Sequence, residues 1–175
     1  MQRVMVIGQP GSGKSTFARA LGDATGLPVV HIDRIHWLPG WRERPAPEKL
    51  AMIAVEEARE RWIIEGGLSR SWANRSARAD TIIHLDAPVM SRLWRVTARL
   101  VRYWGRSRPD LQDGCPERIG WQTPAFYRWI WTTRRSARDK MRALLSQRSG
   151  DTRTVTLRSF GEQDAFVREA ATPTR

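Results

Sequence analysis

One stretch near the amino end has residue types and a spacing that suit phosphate chemistry. It reads Gly8-Gln9-Pro10-Gly11-Ser12-Gly13-Lys14-Ser15-Thr16. Glycines allow backbone conformations in which successive N–H groups point inward around a phosphate chain. Lys14 would place a positive charge on the outer phosphates, and the Ser15 hydroxyl is a ligand for Mg²⁺. The pattern predicts that Gly8 to Thr16 bind Mg·ATP and that Lys14 is also catalytic.

A carboxylate follows the next apolar run. Val29 to Ile32 is predicted as a buried strand that ends at Asp33. In a parallel sheet, ligands bind beyond the carboxyl ends of the strands, so Asp33 should face the same crevice as the glycine-rich stretch. There it would accept a proton from an acceptor hydroxyl or order water on Mg²⁺. The alternative is a helix or turn cap.

Two further groups are predicted to lie at this crevice. Trp37 and Trp41 bracket a Pro-Gly turn beside arginines, which suits a flat, charged ligand or, equally, a surface turn packed on the next helix. Glu65 ends a predicted strand and precedes Gly66 and Gly67, whose backbone allows a close approach. We expect Glu65 to be an outer-shell partner of Mg²⁺, with a salt bridge to an arginine as the alternative.

Arginines recur at helical spacing in the second half of the chain. Their intervals of three and four residues place them on one face of a single helix, if the helix extends that far. Unmixed positive charge indicates a negative partner, such as the equatorial oxygens of a phosphoryl group in transfer, and a merely basic surface is the alternative. The residues are Arg92, Arg95, Arg99, Arg102 and Arg106.

The elements that must position these residues alternate between buried strands and helical patterns. Pro124 is predicted to begin one long helix that continues to about Gln147. Asp86, before Ala-Pro, is interpreted as a helix cap, with a Walker-B acid as the alternative. Glycines and prolines flank a charged centre at about residues 103–124, which predicts a mobile lid carrying Arg106 and Arg108. The predicted strands are Arg3 to Ile7, Val29 to Ile32, Trp62 to Glu65, Thr81 to Asp86 and Arg153 to Leu157.

Composition limits the class of protein. A chain of 175 residues with 41% hydrophobic and 27% charged residues suits one globular domain, here 1–175 with its lid. We expect a cytoplasmic location, because there is no signal peptide or spanning segment and Cys115 is the single cysteine. The net charge of +12 reflects either the codon composition of the genome or an anionic partner, either polyphosphate or nucleic acid. We expect no membrane partner and a monomer or weak dimer.

The order of motifs resembles the nucleoside monophosphate kinase branch of P-loop proteins. The resemblance implies an α/β P-loop NTPase fold of three layers, with a five-stranded parallel sheet in the order 2-3-1-4-5 and a lid between the fourth and fifth strands. It implies an acceptor-binding region after the second strand. Glu65 to Arg70 is similar to a phrase of adenylate kinases, which adds Gly66, Gly67 and Arg70 to the acceptor site. In such a fold the turn at Arg158 lies beside the phosphate loop, where adenine would rest.

A closer resemblance is to the bacterial DNA topology modulation proteins of the FlaR type. The phrases that carry it are His31-Ile32-Asp33 with Trp37, Pro39-Gly40-Trp41, Trp62 to Gly66, Arg106 to Asp110 and Gly114 to Arg118. The fold of that group implies a small-molecule kinase. Our leading hypothesis is therefore an ATP- and Mg²⁺-dependent phosphotransferase acting on a nucleotide or small metabolite. Its predicted catalytic residues are Lys14, Asp33 and the lid arginines Arg95, Arg99, Arg102, Arg106 and Arg108. The group's name implies the alternative, a nucleotide-dependent ATPase or regulator that binds DNA, although no DNA-reading motif is present.

Overall fold

The structure is a computed structural model that describes residues 1–147 and 152–172. The elements, in chain order, are β1 (Arg3–Gly8), α1 (Lys14–Thr25), β2 (Val29–His31), α2 (Ile32–His36), β3 (Trp37–Leu38), β4 (Arg42–Glu43), α3 (Ala46–Ala58), β5 (Trp62–Glu65), a 3₁₀ turn (Ser69–Ser71), α4 (Trp72–Arg78), β6 (Thr81–Leu85), α5 (Val89–Arg102), α6 (Thr123–Thr132), α7 (Arg134–Ser146), β7 (Arg153–Leu157) and α8 (Phe160–Ala171).

Five strands form one parallel sheet in the order β2-β5-β1-β6-β7. Counting only the strands of this sheet along the chain, the order is 2-3-1-4-5, so the predicted topology is confirmed. The central strand β1 pairs on both sides, with Val4 opposite Ile63 of β5 and Thr81 of β6. The apolar runs form buried strands because both faces of the sheet are covered by helices.

The core lies in two layers, one on each face of the sheet. On one face, α1 and α8 pack through residues such as Phe17, Leu21 and Phe166. On the other face the core includes Ile53 of α3 and Met141 of α7. Both layers bring helices against the carboxyl ends of the strands, where β1 leads directly into the glycine-rich loop.

Strands β3 and β4, which follow α2, form a small antiparallel hairpin. Trp37 pairs with Glu43, and Leu38 pairs with Arg42. The turn between them contains Gly40 at φ 76° and Trp41 at φ 59°, both left-handed. The Trp37 and Trp41 rings meet edge to face with centroids 5.4 Å apart, so the two tryptophans pack on each other as well as bracket the turn.

The structure corrects two predicted helices. Helix α5 ends at Arg102, so Arg106 lies beyond the helix and the five arginines do not share one helical face. The single helix predicted up to Gln147 is two helices that meet at Thr133. The hydroxyls of Thr132 and Thr133 both donate to Trp129 O, and such bonds compete with the main-chain ladder.

Candidate functional site

The glycine-rich loop follows β1 in the chain and packs against α5. Gly11 and Gly13 have φ of 80° and 95°, which side chains with a Cβ rarely adopt. A Cβ on Gly11 would lie 2.4 Å from Arg92 O, and one on Gly13 would lie 2.6 Å from a guanidinium nitrogen of Arg95. Both glycines are therefore required by the local fold, and the amino half of α5 touches the loop.

Short internal contacts fix the loop. Ser12 N–H donates to Gln9 O at 3.1 Å, and Gln9 Nε2 donates to Arg134 O at 2.9 Å. Lys14 Nζ donates to the same Gln9 carbonyl at 3.3 Å, so its side chain curls over the loop. Burial lowers the pKa of Lys14, while the Glu65 and Asp33 carboxylates oppose this shift. The ammonium therefore lies near both predicted acids.

Asp33 lies in the first turn of α2 rather than at the end of the strand, because β2 ends at His31. Burial raises the pKa of Asp33 and the Glu65 charge adds to this shift, whereas Lys14 and Arg108 oppose it. Asp33 thus faces cations of both the loop and the α5–α6 segment, by which we mean residues 103–122. Such a carboxylate is suited to take up a proton.

Glu65 has a different neighbour from the expected one. Its Oε1 lies 2.6 Å from Nδ1 of His31, and both side chains are buried. The predicted alternative, a salt bridge of Glu65 to an arginine, is therefore replaced by a contact with histidine. Because Glu65 is engaged by His31, it acts on the crevice through its charge, which reaches Lys14 and Asp33.

The arginines of α5 do not form an exposed track. Arg92 is buried, with 3% of its surface exposed. The Arg95 guanidinium stacks on Phe160, 3.7 Å from the ring centroid, and Arg99 Nε lies 3.2 Å from Glu117 Oε1. Only Arg102 of these four is exposed. Three of the four are therefore held against the loop or the neighbouring segment.

The α5–α6 segment brings a buried arginine to the same place. Arg108 NH1 donates to Asp110 Oδ2 at 2.8 Å, and Arg108 Nε lies 2.7 Å from Glu117 Oε1. Burial lowers the pKa of Arg99, Arg108 lowers it further, and Glu117 opposes these shifts. Arg106, by contrast, is exposed. The structure therefore places Arg95, Arg99 and Arg108 near the loop, and leaves Arg102 and Arg106 at the surface.

Asp110 is a site residue that the sequence analysis missed. Its carboxylate lies close to the Ser15 hydroxyl. Burial would raise the pKa of Asp110, but Arg108, a main-chain donor and Ser15 together outweigh it and the pKa is lowered. Asp110 also adds to the raised pKa of Asp33. Its position after Arg108-Pro109, in a segment already predicted to cover the loop, was the available signal.

The same segment is bonded to the tryptophan hairpin. Gly40 N–H donates to Gly114 O at 2.7 Å, and Trp41 Nε1 donates to Pro116 O at 2.9 Å. The Cys115 thiol donates to Leu38 O at 3.2 Å, and Cys115 is fully buried. The α5–α6 segment therefore spans the distance between the phosphate loop and the hairpin.

The loop after β5 contains the predicted acceptor residues Gly66, Gly67 and Arg70. Gly66 has φ 126°, and a Cβ there would lie 2.8 Å from Ile32 Cβ, so this position also requires glycine. Gly67 and Arg70 are exposed. Gly67 O accepts from Trp72 Nε1 at 3.2 Å. The predicted acceptor residues Gly66 and Gly67 therefore adjoin α2, which carries Asp33.

The turn before α8 lies on the other side of the loop. Ser159 Oγ accepts from Glu162 N–H at 3.2 Å, and Glu162 Oε2 accepts from Arg158 N–H at 2.7 Å. Ser159 therefore caps α8, and Glu162 reaches back to the residue before the cap. Arg158 is exposed, and Phe160, two residues later, approaches Gly13. The turn therefore lies near the phosphate loop, and the contact of Arg158 with a nucleotide base stays a prediction.

The donor set at Ser15 fits a hard divalent cation. Mg²⁺ prefers oxygen ligands, keeps several waters and is usually held by one or two carboxylates together with substrate phosphates. The Ser15 hydroxyl, Asp110 and the nearby Asp33 supply such oxygens. Among residues 1–147 and 152–172, no group of three or more His, Cys, Asp or Glu forms a metal cage.

None of the described helices is long and apolar enough to cross a bilayer.

Comparisons with known proteins agree with the fold. No family model matches the chain. A cytidylate kinase of Pyrobaculum aerophilum is 31% identical over 110 residues, which is 55% of this chain and 59% of that enzyme, so the chain spans less than two thirds of this relative. A shikimate kinase of Acinetobacter baumannii in complex with shikimate has a TM-score of 0.56 at 14% identity over 97% of this chain and 90% of its own. A gluconokinase of Sinorhizobium meliloti has a TM-score of 0.56 at 18% identity over 97% and 89%.

These similarities establish the fold. The chain has the α/β architecture of P-loop kinases, a five-stranded parallel sheet between helical layers. The solved structures are each less than 25% identical to it and indicate architecture alone.

Proposed function

We propose that the chain is an ATP-dependent kinase that transfers the γ-phosphoryl group of Mg·ATP to a small acceptor. The observation that carries this proposal is the convergence of Arg99, Arg108 and Asp110 on Lys14 and Ser15. Phosphoryl transfer depends on cations around the moving group and on exclusion of water, and this arrangement supplies both. The relative named cytidylate kinase and the structural neighbours named shikimate kinase and gluconokinase support the same reaction class.

Each residue has a distinct task in this mechanism. The N–H groups of the stretch Gly8 to Thr16, other than Pro10, which has none, and Ser12, which is bonded to Gln9 O, hold the β- and γ-phosphates together with the Lys14 ammonium. The exposed Thr16 lies at the rim. Ser15, with Asp110 and Asp33 nearby, would hold Mg²⁺, which neutralises charge on the phosphate oxygens when bound. Arg158, Arg95 and Phe160 flank the base of the nucleotide.

Asp33 is the general base of the proposal. It accepts the proton of the acceptor hydroxyl as that oxygen bonds to the γ-phosphorus and the bond to the bridging oxygen breaks. Its raised pKa, caused first by burial, makes it a better base than an exposed aspartate. Trp37, Trp41, Gly66, Gly67 and Arg70 form the walls for the acceptor, and Glu65 contributes through its charge and its contact with His31.

The test is an assay of ADP release with a panel of acceptors. The panel contains CMP and the other nucleoside monophosphates, together with shikimate and gluconate, and Lys14→Ala is the matched inactive variant. The proposal expects one acceptor to raise ADP release far above slow hydrolysis in the wild type only. Stimulation by none of them, with nucleotide binding intact, would overturn the kinase assignment.

The alternative, a DNA-binding ATPase or regulator, lacks its main support. It required an arginine stripe facing a nucleic acid backbone, but Arg92 is buried and Arg95 and Arg99 are engaged inside the site. The remaining argument is the net charge of +12. A gel shift at physiological salt, with and without ATP, tests it directly.

A further inference from the structure

The loop after β5 is held in place by a buried arginine to which none of the predictions above assigns a role. Arg75 of α4 is fully buried, with no exposed surface. Its guanidinium donates to three consecutive main-chain carbonyls: Gly67 O at 2.5 Å, Leu68 O at 3.4 Å and Gly66 O at 3.5 Å. One side chain therefore orients three peptide groups in a row.

This side chain is costly to bury. Moving a guanidinium out of water costs several kcal/mol unless excellent geometry and hydrogen bonds compensate. Burial lowers the pKa of Arg75 to about 10, while the Glu57 and Glu65 carboxylates oppose this shift, so the group stays charged at neutral pH. Glu57 Oε1 lies 3.9 Å from Arg75 Nε. A leucine or methionine would fill the same space without this cost, so the charge and its planar donors have a use.

The orientation of the carbonyls determines where the N–H groups point. The described chain has no cis peptide bond, and in a trans peptide the N–H is directed opposite to the C=O. With the carbonyls of Gly66, Gly67 and Leu68 turned toward Arg75, the following N–H groups of Gly67, Leu68 and Ser69 point away from it. In the part of the chain that the structure describes, no main-chain carbonyl accepts from these three groups.

The backbone of this loop is held in unusual conformations. Gly66 has φ 126°, and Leu68 has φ 53°, a value that residues with a side chain seldom adopt. Such conformations persist only where surrounding contacts impose them, and here Arg75 supplies them together with Ser71 N–H, which donates to Leu68 O at 3.0 Å, and Trp72 Nε1, which donates to Gly67 O. The exposed Arg70 follows directly and adds positive charge on the outer side of the loop.

We propose that Arg75 is a positioning residue which turns the N–H groups of Gly67, Leu68 and Ser69 toward the acceptor, so that the acceptor is held through an anionic oxygen. The source of this oxygen is a phosphate or a carboxylate of the acceptor, since both accept hydrogen bonds from several N–H groups. The proposal relies on the proposed function only for the identity of the crevice as the acceptor site. It concerns binding and not the transfer step.

The experiment uses the full chain saturated with Mg²⁺ and a non-hydrolysable ATP analogue, so that the phosphate loop is filled. Amide resonances are followed by NMR during separate titrations with CMP and gluconate, which carry the phosphate and the carboxylate. We expect saturable shifts of the Gly67, Leu68 and Ser69 amides with at least one of them. In Arg75→Lys, which keeps the charge but loses the planar fork, we expect the affinity to fall about tenfold or more, the size of one charged hydrogen bond.

Arg78→Lys is the matched control, because Arg78 lies one turn further along α4 and donates to Ala58 O of α3 instead of to the loop. It should leave the titration unchanged. Affinity for the ATP analogue should be equal in all three proteins, which separates positioning from general damage to the fold. Wild-type amides that do not shift with either probe, or Arg75→Lys binding as tightly as wild type, would overturn the proposal. Amide shifts without phosphoryl transfer would instead leave it standing and remove the kinase assignment.

Discussion

Glu117 is an ion-pair partner of Arg108, with 2.7 Å between Glu117 Oε1 and Arg108 Nε, and the same oxygen lies 3.2 Å from Arg99. Both arginines are the cations that the proposed reaction needs at the phosphates. The Glu117 carboxylate is therefore paired with both arginines in the structure. In the proposed reaction, the phosphates of the nucleotide have to displace this carboxylate when they bind.

We predict that Glu117→Gln binds nucleotide more tightly. A neutral amide competes less well for guanidinium groups than a carboxylate, and a loss of about 1 kcal/mol of ion-pair attraction corresponds to about fivefold in Kd. Titration of a fluorescent ATP analogue measures this change. Asp113→Asn is the control, because Asp113 is an exposed acid of the same segment. Equal affinity in Glu117→Gln and wild type would contradict the displacement.

Asp33→Asn should reduce turnover and leave the fold at least as stable. Loss of a general base costs about 10²- to 10⁴-fold in rate. Burial raises the pKa of Asp33, so this acid binds its proton more tightly in the folded state than in the unfolded chain. Once the pH rises above the pKa that Asp33 has in the unfolded chain, this difference lowers the free energy of unfolding. Asparagine removes that cost at neutral and alkaline pH.

The measurements for Asp33 are kcat against pH and melting temperature against pH. In the wild type we expect kcat to fall with decreasing pH at a pH above about 3.9, the ordinary pKa of aspartate. Asp23→Asn, on the exposed face of α1, serves as the control for loss of an acid. A melting temperature of Asp33→Asn well below that of wild type at pH 8 would show that Asp33 is a stabilising partner instead.

Gly11→Ala should lose nucleotide binding and stability together. The new Cβ would lie 2.4 Å from Arg92 O at a left-handed φ, so α5 must move away from the loop. Overpacking of this kind costs about 1–3 kcal/mol of unfolding free energy. Thermal melting and nucleotide titration measure both effects. Gly120→Ala, where a Cβ meets nothing within 4 Å, should resemble wild type; equal losses in the two variants would refute the packing argument.

Cys115 provides a chemical probe of the contact between the α5–α6 segment and the hairpin. The thiol is fully buried against Leu38 O, so a thiol reagent reaches it only when the contact opens. Trp41→Phe removes the bond from Nε1 to Pro116 O, which is worth about 1 kcal/mol, and should speed labelling about fivefold. Trp121→Phe, at a position 86% exposed, should label at the wild-type rate. Equal rates in both variants would show that this bond does not hold the segment closed.

The sequence was sufficient to predict the individual strands and the glycine-rich loop because both are local, whereas the order of the strands was predicted from the resemblance to nucleoside monophosphate kinases. β1, Gly8 to Thr16 and α1 are contiguous, and apolar runs such as Trp62–Glu65 mark strands whatever surrounds them. The acidic partners could not be predicted in this way. Asp110 and Glu117 acquire their roles from contacts with Ser15 and Arg108 that depend on how the α5–α6 segment folds back.

The arginines of α5 show the same limit. Helical spacing predicted correctly that Arg92, Arg95 and Arg99 lie on related faces, but it did not predict which face the fold would bury. Arg92 is covered because α5 packs against Gly11, a contact between residues far apart in sequence. The end of α5 at Arg102, and with it the exposure of Arg106, likewise depends on the segment that follows.

The bonds joining Gly40 to Gly114 and Trp41 to Pro116 connect the α5–α6 segment to the hairpin. In the proposed mechanism these two parts of the chain serve different substrates. A movement of the α5–α6 segment away from the phosphates therefore has to break its bonds to the hairpin or carry the hairpin with it, which couples the geometry of the nucleotide site to that of the acceptor site.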